Sequence, residues 1–264
     1  VEARGEDEVD STRRHIWVAT HQGLVRPHNQ DRTGTSSRRS AGDVDSWKEL
    51  ADAEFFWVCV ADGMGGHAAG NIASDVAIDA MFQSLPTART EADIADAANY
   101  ANRMIYQAMF SGEGRMRMGS TLVAAVVAAD RAMVGNVGDS RAYKLSGDEL
   151  VLLSKDDTLP TGKTGQRQHM LTQSLGGLAY QTSIAPHVLR FAFDKADQLL
   201  LCSDGLTDMV GESEIAKILR ENHDDPADAL VAAALGGGGR DNISAIVVGP
   251  AFDFAKAGSA MASG

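Results

Sequence analysis

Apolar residues in this chain fall into two patterns. The first is a set of short, nearly continuous runs bounded by glycine and aspartate, which read as buried strands. The clearest is Phe55-Phe56-Trp57-Val58-Cys59-Val60-Ala61, which delivers Asp62 into the turn Gly63-Met64-Gly65-Gly66, with His67 next. Further runs at 15–20, 120–129, 131–137, 141–145, 149–153, 187–193, 198–202 and 243–248 continue the series. Ser146-Gly147-Asp148 is a hairpin signal between two of them. Strands this close together pair antiparallel.

The second pattern is helical. Ala73, Val76, Ala77, Ala80 and Met81 predict a helix over roughly 68–84. Ile94, Ala97, Ala98, Ala101, Met104, Ile105, Ala108 and Met109 predict another, capped by Thr90 and stopped by Gly112 and Gly114. Those methionines suit core packing better than a cofactor box. Two shorter helices are expected at 212–221 and 226–235, the second opening on Asp225-Pro226 as cap and first position. Residues 36–53 read as a surface loop, 154–183 as polar and irregular, and Gly236 to Gly239 as a flexible loop.

Helices thus come in two pairs, with antiparallel strands before, between and after them. That order predicts an α+β fold, a four-layer α-β-β-α sandwich of two mainly antiparallel sheets packed face to face with helices outside each. No linker or repeat interrupts residues 15–250, read as a single domain between a mobile leader at 1–14 and a loose tail at 251–264.

Composition narrows the function. A net charge of −12 over 264 residues argues against nucleic acid or an anionic membrane as partner. No apolar run approaches the ~18 residues of a membrane span, and the first residues lack a signal-peptide core, so a cytoplasmic setting is expected. The two cysteines, Cys59 and Cys202, sit inside apolar strands and read as small buried hydrophobes.

The chemistry sits at the strand ends. Asp62, Asp139 and Asp204 each follow an apolar run, and Asp241 stands just before one. Asp62 alone would fit a helix-capping role at a βα turn. Gathered at one sheet edge, the four aspartates would repel unless cations lay between them. Oxygen ligands without a His or Cys cluster favour Mg²⁺ or Mn²⁺ over Zn²⁺.

Six segments carry a resemblance: Arg26-x-x-Asn29-Gln30-Asp31, Asp62-Gly63-Met64-Gly65-Gly66-His67, Met118-Gly119-Ser120-Thr121, Gly135-Asn136-Val137-Gly138-Asp139-Ser140-Arg141-Ala142-Tyr143, Leu200-Leu201-Cys202-Ser203-Asp204-Gly205-Leu206-Thr207-Asp208 and Gly239-Arg240-Asp241-Asn242-Ile243-Ser244. In order and spacing the chain resembles the metal-dependent (type 2C) serine/threonine protein phosphatases in their bacterial form, over about 15–249. The resemblance implies hydrolysis of phosphoserine and phosphothreonine monoesters by attack of a metal-bridging water, opposing a cognate Ser/Thr kinase. Asp62 would bridge two ions (Mn²⁺ or Mg²⁺), Asp204 and Asp241 would complete the first site, and the Gly63 carbonyl would serve the second. Asp139 would help hold a looser third ion, Arg26 would grip the phosphate, and Asp31 would be a supporting carboxylate. No cysteine lies in a Cys-x5-Arg context and no Asp-x-Asp motif ends a strand early in the chain, which argues against covalent phospho-enzyme routes.

The chain also departs from the family pattern. Gln30 stands where many relatives carry a metal-binding glutamate, which implies a looser second ion. The family's Asp-His after its Leu-Thr-x entry is Asp156-Asp157 here, and the following flap, punctuated by Pro160, Gly162 and Gly165, is short. His67 either protonates the leaving alkoxide or simply begins the helix; His21, His28 and His169 have weaker claims. Arg141 reads as a structural ion-pair partner. Competing readings are a phosphoprotein-binding module that kept the fold without turnover, and a different two-metal hydrolase such as a nuclease. The complete aspartate set disfavours the first, and the acidic balance disfavours the second. A monomer is expected.

Overall fold

A computed structural model describes residues 13–112, 114–159, 170–222 and 224–250, with the backbone alone at 67 and 68. The strands are β1 (Arg13–His21), β2 (Asp31–Thr35), β3 (Val44–Asp52), β4 (Phe56–Met64), β5 (Gly119–Ser120), β6 (Leu122–Ala128), β7 (Arg131–Val137), β8 (Arg141–Ser146), β9 (Glu149–Leu152), β10 (Leu175–Gly176), β11 (His187–Ala192), β12 (Gln198–Cys202) and β13 (Ile243–Pro250). The helices are α1 (His67–Ser84), α2 (Glu91–Ser111), α3 (Asp204–Thr207), α4 (Glu212–Glu221) and α5 (Pro226–Gly236).

Among the described residues one sheet runs β3-β1-β13-β12-β8-β9 and the other β10-β5-β4-β6-β7-β11, with β2 paired to β4. Every ladder is antiparallel. The four expected layers follow from a period of two in side chains that are apolar on both faces of a strand. Phe56, Val58 and Val60 meet Ile16, Val18, Leu199, Leu201, Ile246 and Val248 between the sheets. Their neighbours Trp57, Cys59 and Ala61 face α1 and α2. Trp17, Ala19, Leu200, Cys202, Ala245 and Val247 face the opposite way, under α4 and α5. Both cysteines are buried and free, as expected.

The α2 boundaries hold for the reasons anticipated. Thr90 accepts from the Asp93 amide while Asp93 Oδ2 accepts from the Thr90 amide, a capping box. Gly112 closes the helix at φ +85°, in the left-handed region.

Four expectations need correction. Residues 44–52 are the edge strand β3, not loop; its faces alternate exposed and half-buried, and its many polar residues hid it. β1 starts at Arg13, inside the expected leader, and buried Arg14 donates to the carbonyls of Lys195 and Asp194 at 2.8 and 2.7 Å. Asp225 occupies the α5 cap position but its side chain makes no capping bond. The glycines after α5 are docked rather than slack, with the Leu24 amide donating to the Gly239 carbonyl at 2.7 Å. The rest of the leader, the tail, and Pro160, Gly162 and Gly165 lie outside the described residues.

Candidate active site

Antiparallel pairing brings chemistry from distant parts of the chain to one edge. Asp31 lies opposite Asp62 in the β2–β4 register, so two carboxylates share a face. Leu122 pairs with Val137, which places Thr121 and Asp139 at that same edge of the sheet. In the other sheet Cys202 pairs with Ala245, so Asp204, just past β12, meets Asp241, just before β13.

These residues surround a cleft of about 470 Å³ whose wall includes Arg26, Gln30, Asp62, Gly63, Asp139, Asp204 and Asp241. Asp31 is fully buried beneath it. His67 begins α1, and its side chain is outside the described part, as is all of His169. His28 is on the cleft wall, exposed, with Nδ1 3.8 Å from Asp43. His21 is taken up structurally, its Nδ1 accepting from the Gly23 amide at 2.9 Å.

Electrostatics set this cleft apart. Burial, then the charges of Asp31, Asp204, Asp139 and Asp241, lifts the Asp62 carboxyl well above its ordinary value. Asp204 is lifted likewise by burial, then by Asp139, Asp208, Asp241 and Asp31. Burial raises Asp31 to about 6, although the Ser203 and Ser244 hydroxyls donate to its Oδ2 at 2.7 and 2.8 Å and favour the anion. Asp31 Oδ1 is buried with no donor. Among the described residues, the arginine on the cleft wall is Arg26, whose Nη2 donates to Asp241 Oδ2 at 2.5 Å and whose own pKa rises through that bond.

Crowded, partly desolvated carboxylates with an orphaned oxygen fit hard divalent cations. The Gly63 carbonyl and the Gln30 amide add uncharged oxygens: a methyl built on Gly70 would lie 2.6 Å from both Gly63 O and Gln30 Nε2, so the two groups sit together over the first turn of α1. Among the described residues no three acidic or imidazole side chains converge as a ready-made cage.

Several supporting residues escaped the sequence reading. Thr121 Oγ1 accepts from the Asp62 amide at 3.0 Å and meets Ser140 Oγ at 2.7 Å, while the Thr121 amide donates to the Asp62 carbonyl at 2.9 Å. Asn242 Oδ1 accepts from the Gln30 amide at 2.8 Å, and its Nδ2 donates to the carbonyls of Gln22 and His28, fixing the loop that carries Arg26. For Asn242 the available signal was polarity beside Asp241 at the start of an apolar run; Thr121 stands before the apolar run of β6 with no aspartate next to it. Arg141 is an ion-pair partner, as expected: it is buried and its Nη2 meets Asp156 Oδ2 at 2.5 Å.

Comparison with known proteins places the chain among relatives of similar sequence and fold. The family described as Protein phosphatase 2C matches residues 29–236. The serine/threonine phosphatase stp of Listeria innocua is 32% identical over 258 residues, covering 89% of this chain and 95% of its own. Protein phosphatase PhpP of Streptococcus pneumoniae is 32% identical over 255 residues, covering 88% and 96%. Among solved structures, the catalytic domain of the phosphatase PstP in complex with two manganese ions superposes with a TM-score of 0.73 at 28% identity, covering 90% of this chain and 99% of that one. The Streptococcus agalactiae serine/threonine phosphatase gives 0.74 at 28% identity, covering 90% and 100%. The chain belongs to the protein phosphatase 2C family of metal-dependent serine/threonine protein phosphatases.

Proposed function

We propose that this protein hydrolyses phosphoserine and phosphothreonine monoesters on protein substrates with two divalent cations, Mn²⁺ or Mg²⁺, held by Asp62, Asp204, Asp241 and the Gly63 carbonyl. When bound, such ions polarise the phosphoryl group and acidify an attacking water. Asp139 and Gln30 line the same cleft and would add ligands to these ions or to their waters. Asp31 accepts hydrogen bonds from below and keeps negative charge beneath Asp62 without entering the cleft. Arg26 turns from Asp241 to the phosphate, offering paired donors to two phosphoryl oxygens. Phosphoryl transfer asks mainly for positioning and charge neutralisation, which this set supplies. His67, at the start of α1 beside the cleft, is the candidate to protonate the leaving alkoxide.

The observation that carries this reading is the meeting of Asp62, Asp139, Asp204 and Asp241 with Arg26 on one cleft. The partners are phosphoproteins and the Ser/Thr kinase that modifies them. Among the described residues no helix is long and apolar enough to cross a membrane. Hydrolysis of p-nitrophenyl phosphate and of a phosphothreonine peptide, with Mn²⁺ and with EDTA, tests the proposal. Turnover that depends on Mn²⁺ and disappears in Asp62→Asn supports it. Stoichiometric phosphopeptide binding without turnover would instead establish a binding module.

A further inference from the structure

Asp157 is buried, lies outside the catalytic cleft, and makes more polar contacts than a surface turn needs. Its Oδ2 accepts from the Gly138 amide at 2.9 Å and from Gln173 Nε2 at 2.8 Å. His187 Nε2 lies 2.7 Å from Oδ1 and donates to it. The backbone joins in: the Asp157 amide donates to the Gly138 carbonyl at 2.9 Å, and the Asp157 carbonyl accepts from the Thr172 amide at 2.7 Å.

One side chain therefore ties together three pieces of chain. The first is Gly138, which precedes Asp139 and is held at φ +99°, where an added methyl would stand 2.7 Å from the Thr121 side chain. The second is the segment from Thr172 to Ala185, which Gln173 closes on itself: its Oε1 accepts from the Ala185 amide at 2.6 Å and its Nε2 reaches the Ala185 carbonyl at 3.2 Å. The third is His187 on β11, a strand paired to β7 so that His187 lies opposite Asn136. Asn136 belongs to the same arrangement, bonding the Lys155 carbonyl at 2.7 Å and the Lys155 amide at 3.1 Å.

We infer that Asp157 is a positioning residue for Asp139: its carboxylate fixes the left-handed Gly138 turn, and Gln173 and His187 hold that carboxylate in place. Asp157 touches neither substrate nor the proposed ions. It acts through the direction in which Asp139 leaves β7 and through the Thr121 contact that supports Asp62. The inference rests on the functional reading above and adds to it a residue remote from the reacting atoms. Outer-shell partners of this kind change metal affinity or activity by about tenfold or more when removed.

The test is a double-mutant cycle between Asp157→Ala and Asp139→Asn in the full chain, read by calorimetric titration with Mn²⁺ and by kcat on p-nitrophenyl phosphate below the melting temperature. Asp157→Ala is expected to weaken Mn²⁺ binding and lower kcat by about tenfold. In the Asp139→Asn background it should add little, because coupled residues are not additive. Asp157→Asn should recover most of the loss, since its amide oxygen accepts from Gly138 and its NH₂ can donate to the other tautomer of His187. If Asp157→Ala fails to fold, Gln173→Ala removes one of the donors to Asp157 together with the two bonds to Ala185, and should shift Mn²⁺ binding in the same direction by less. Equal effects of Asp157→Ala with and without Asp139, or variants that only lower the melting temperature, would overturn the inference. A wild-type protein that neither binds Mn²⁺ nor turns over would overturn the functional reading instead.

Discussion

Arg26 Nη2 rests 2.5 Å from Asp241 Oδ2, so the cation proposed to grip a phosphate is paired with a carboxylate proposed to hold a metal ion. Both side chains are substantially exposed, at 53% and 39%, and such a pair contributes little to folding. On the proposed function it is a resting place from which the guanidinium would move to the phosphate. Arg26→Ala should leave the melting temperature nearly unchanged. It should lower kcat/KM for a phosphopeptide roughly ten- to a hundredfold, the value of a lost charged hydrogen-bond pair. Arg26→Lys should recover only part, because an ammonium cannot offer two parallel donors. Steady-state kinetics beside thermal melts would check both halves; a large melting shift would show that the pair is structural.

The pH dependence of the metal-free protein has a definite sign. Asp31 is raised to about 6, and Asp62 and Asp204 are raised as well, all chiefly by burial. An unfolded aspartate titrates near 4, so above that pH the folded state holds more protons than the unfolded one. Stability from these groups is complete at lower pH and is lost as pH rises through about 6 and beyond. With EDTA, the carboxylate cluster should therefore destabilise the fold more near pH 7.5 than near pH 5. Mn²⁺ needs deprotonated ligands, so its stabilisation should be larger at the higher pH. Melting curves at the two pH values with and without Mn²⁺ would test this, and an equal Mn²⁺ shift at both would refute it.

Gln30 is anchored by its backbone: its amide donates to Asn242 and its carbonyl accepts from Gly63 and Ser74. These backbone bonds do not involve the side chain and stay in place when it is changed. An amide oxygen brings no charge to an ion, and a glutamate would. Gln30→Glu is expected to lower the Mn²⁺ concentration at half-maximal activity by several-fold, about 1 kcal/mol of added attraction in a partly solvated cleft. An unchanged half-saturation would show that this position does not reach the second ion.

Much of this was visible in the chain before any coordinates, and the limits have physical causes. Strands such as β4, β12 and β13 are apolar on both faces, so a dense run of Val, Leu, Ile and Cys announces them whatever their neighbours. β3 is an edge strand with alternating exposure and many charged residues, so local pattern could not separate it from a loop. The aspartates were legible because each sits at the end of an apolar run. Asn242 and Asp157 were not, because their roles depend on partners more than fifteen residues away, such as Gln22, Gly138 and His187. The docking of Gly239 on Leu24 was hidden for the same reason: glycine pattern speaks of backbone freedom, not of what the backbone approaches.

Close approach also explains Gly205. A methyl there would stand 1.9 Å from the Asn242 carbonyl oxygen and 3.5 Å from Asp241 Cβ. The short helix α3, which begins with Asp204, therefore packs directly on the segment that supplies Asp241 and Asn242. Gly205→Ala must push these two arms of the cleft apart, and Asn242 would carry Gln30 and the Arg26 loop with it. The expected cost is about 1–3 kcal/mol of overpacking, together with a loss of Mn²⁺ affinity larger than that stability change alone would produce. Gly236→Ala is the matched control: open space surrounds that position at the end of α5, and alanine there should be neutral or slightly stabilising, by up to about 1 kcal/mol. Calorimetric Mn²⁺ titration and melting of both variants would decide it. A Gly205→Ala protein that binds Mn²⁺ as wild type does would mean that Asp204 and Asp241 do not depend on each other's placement.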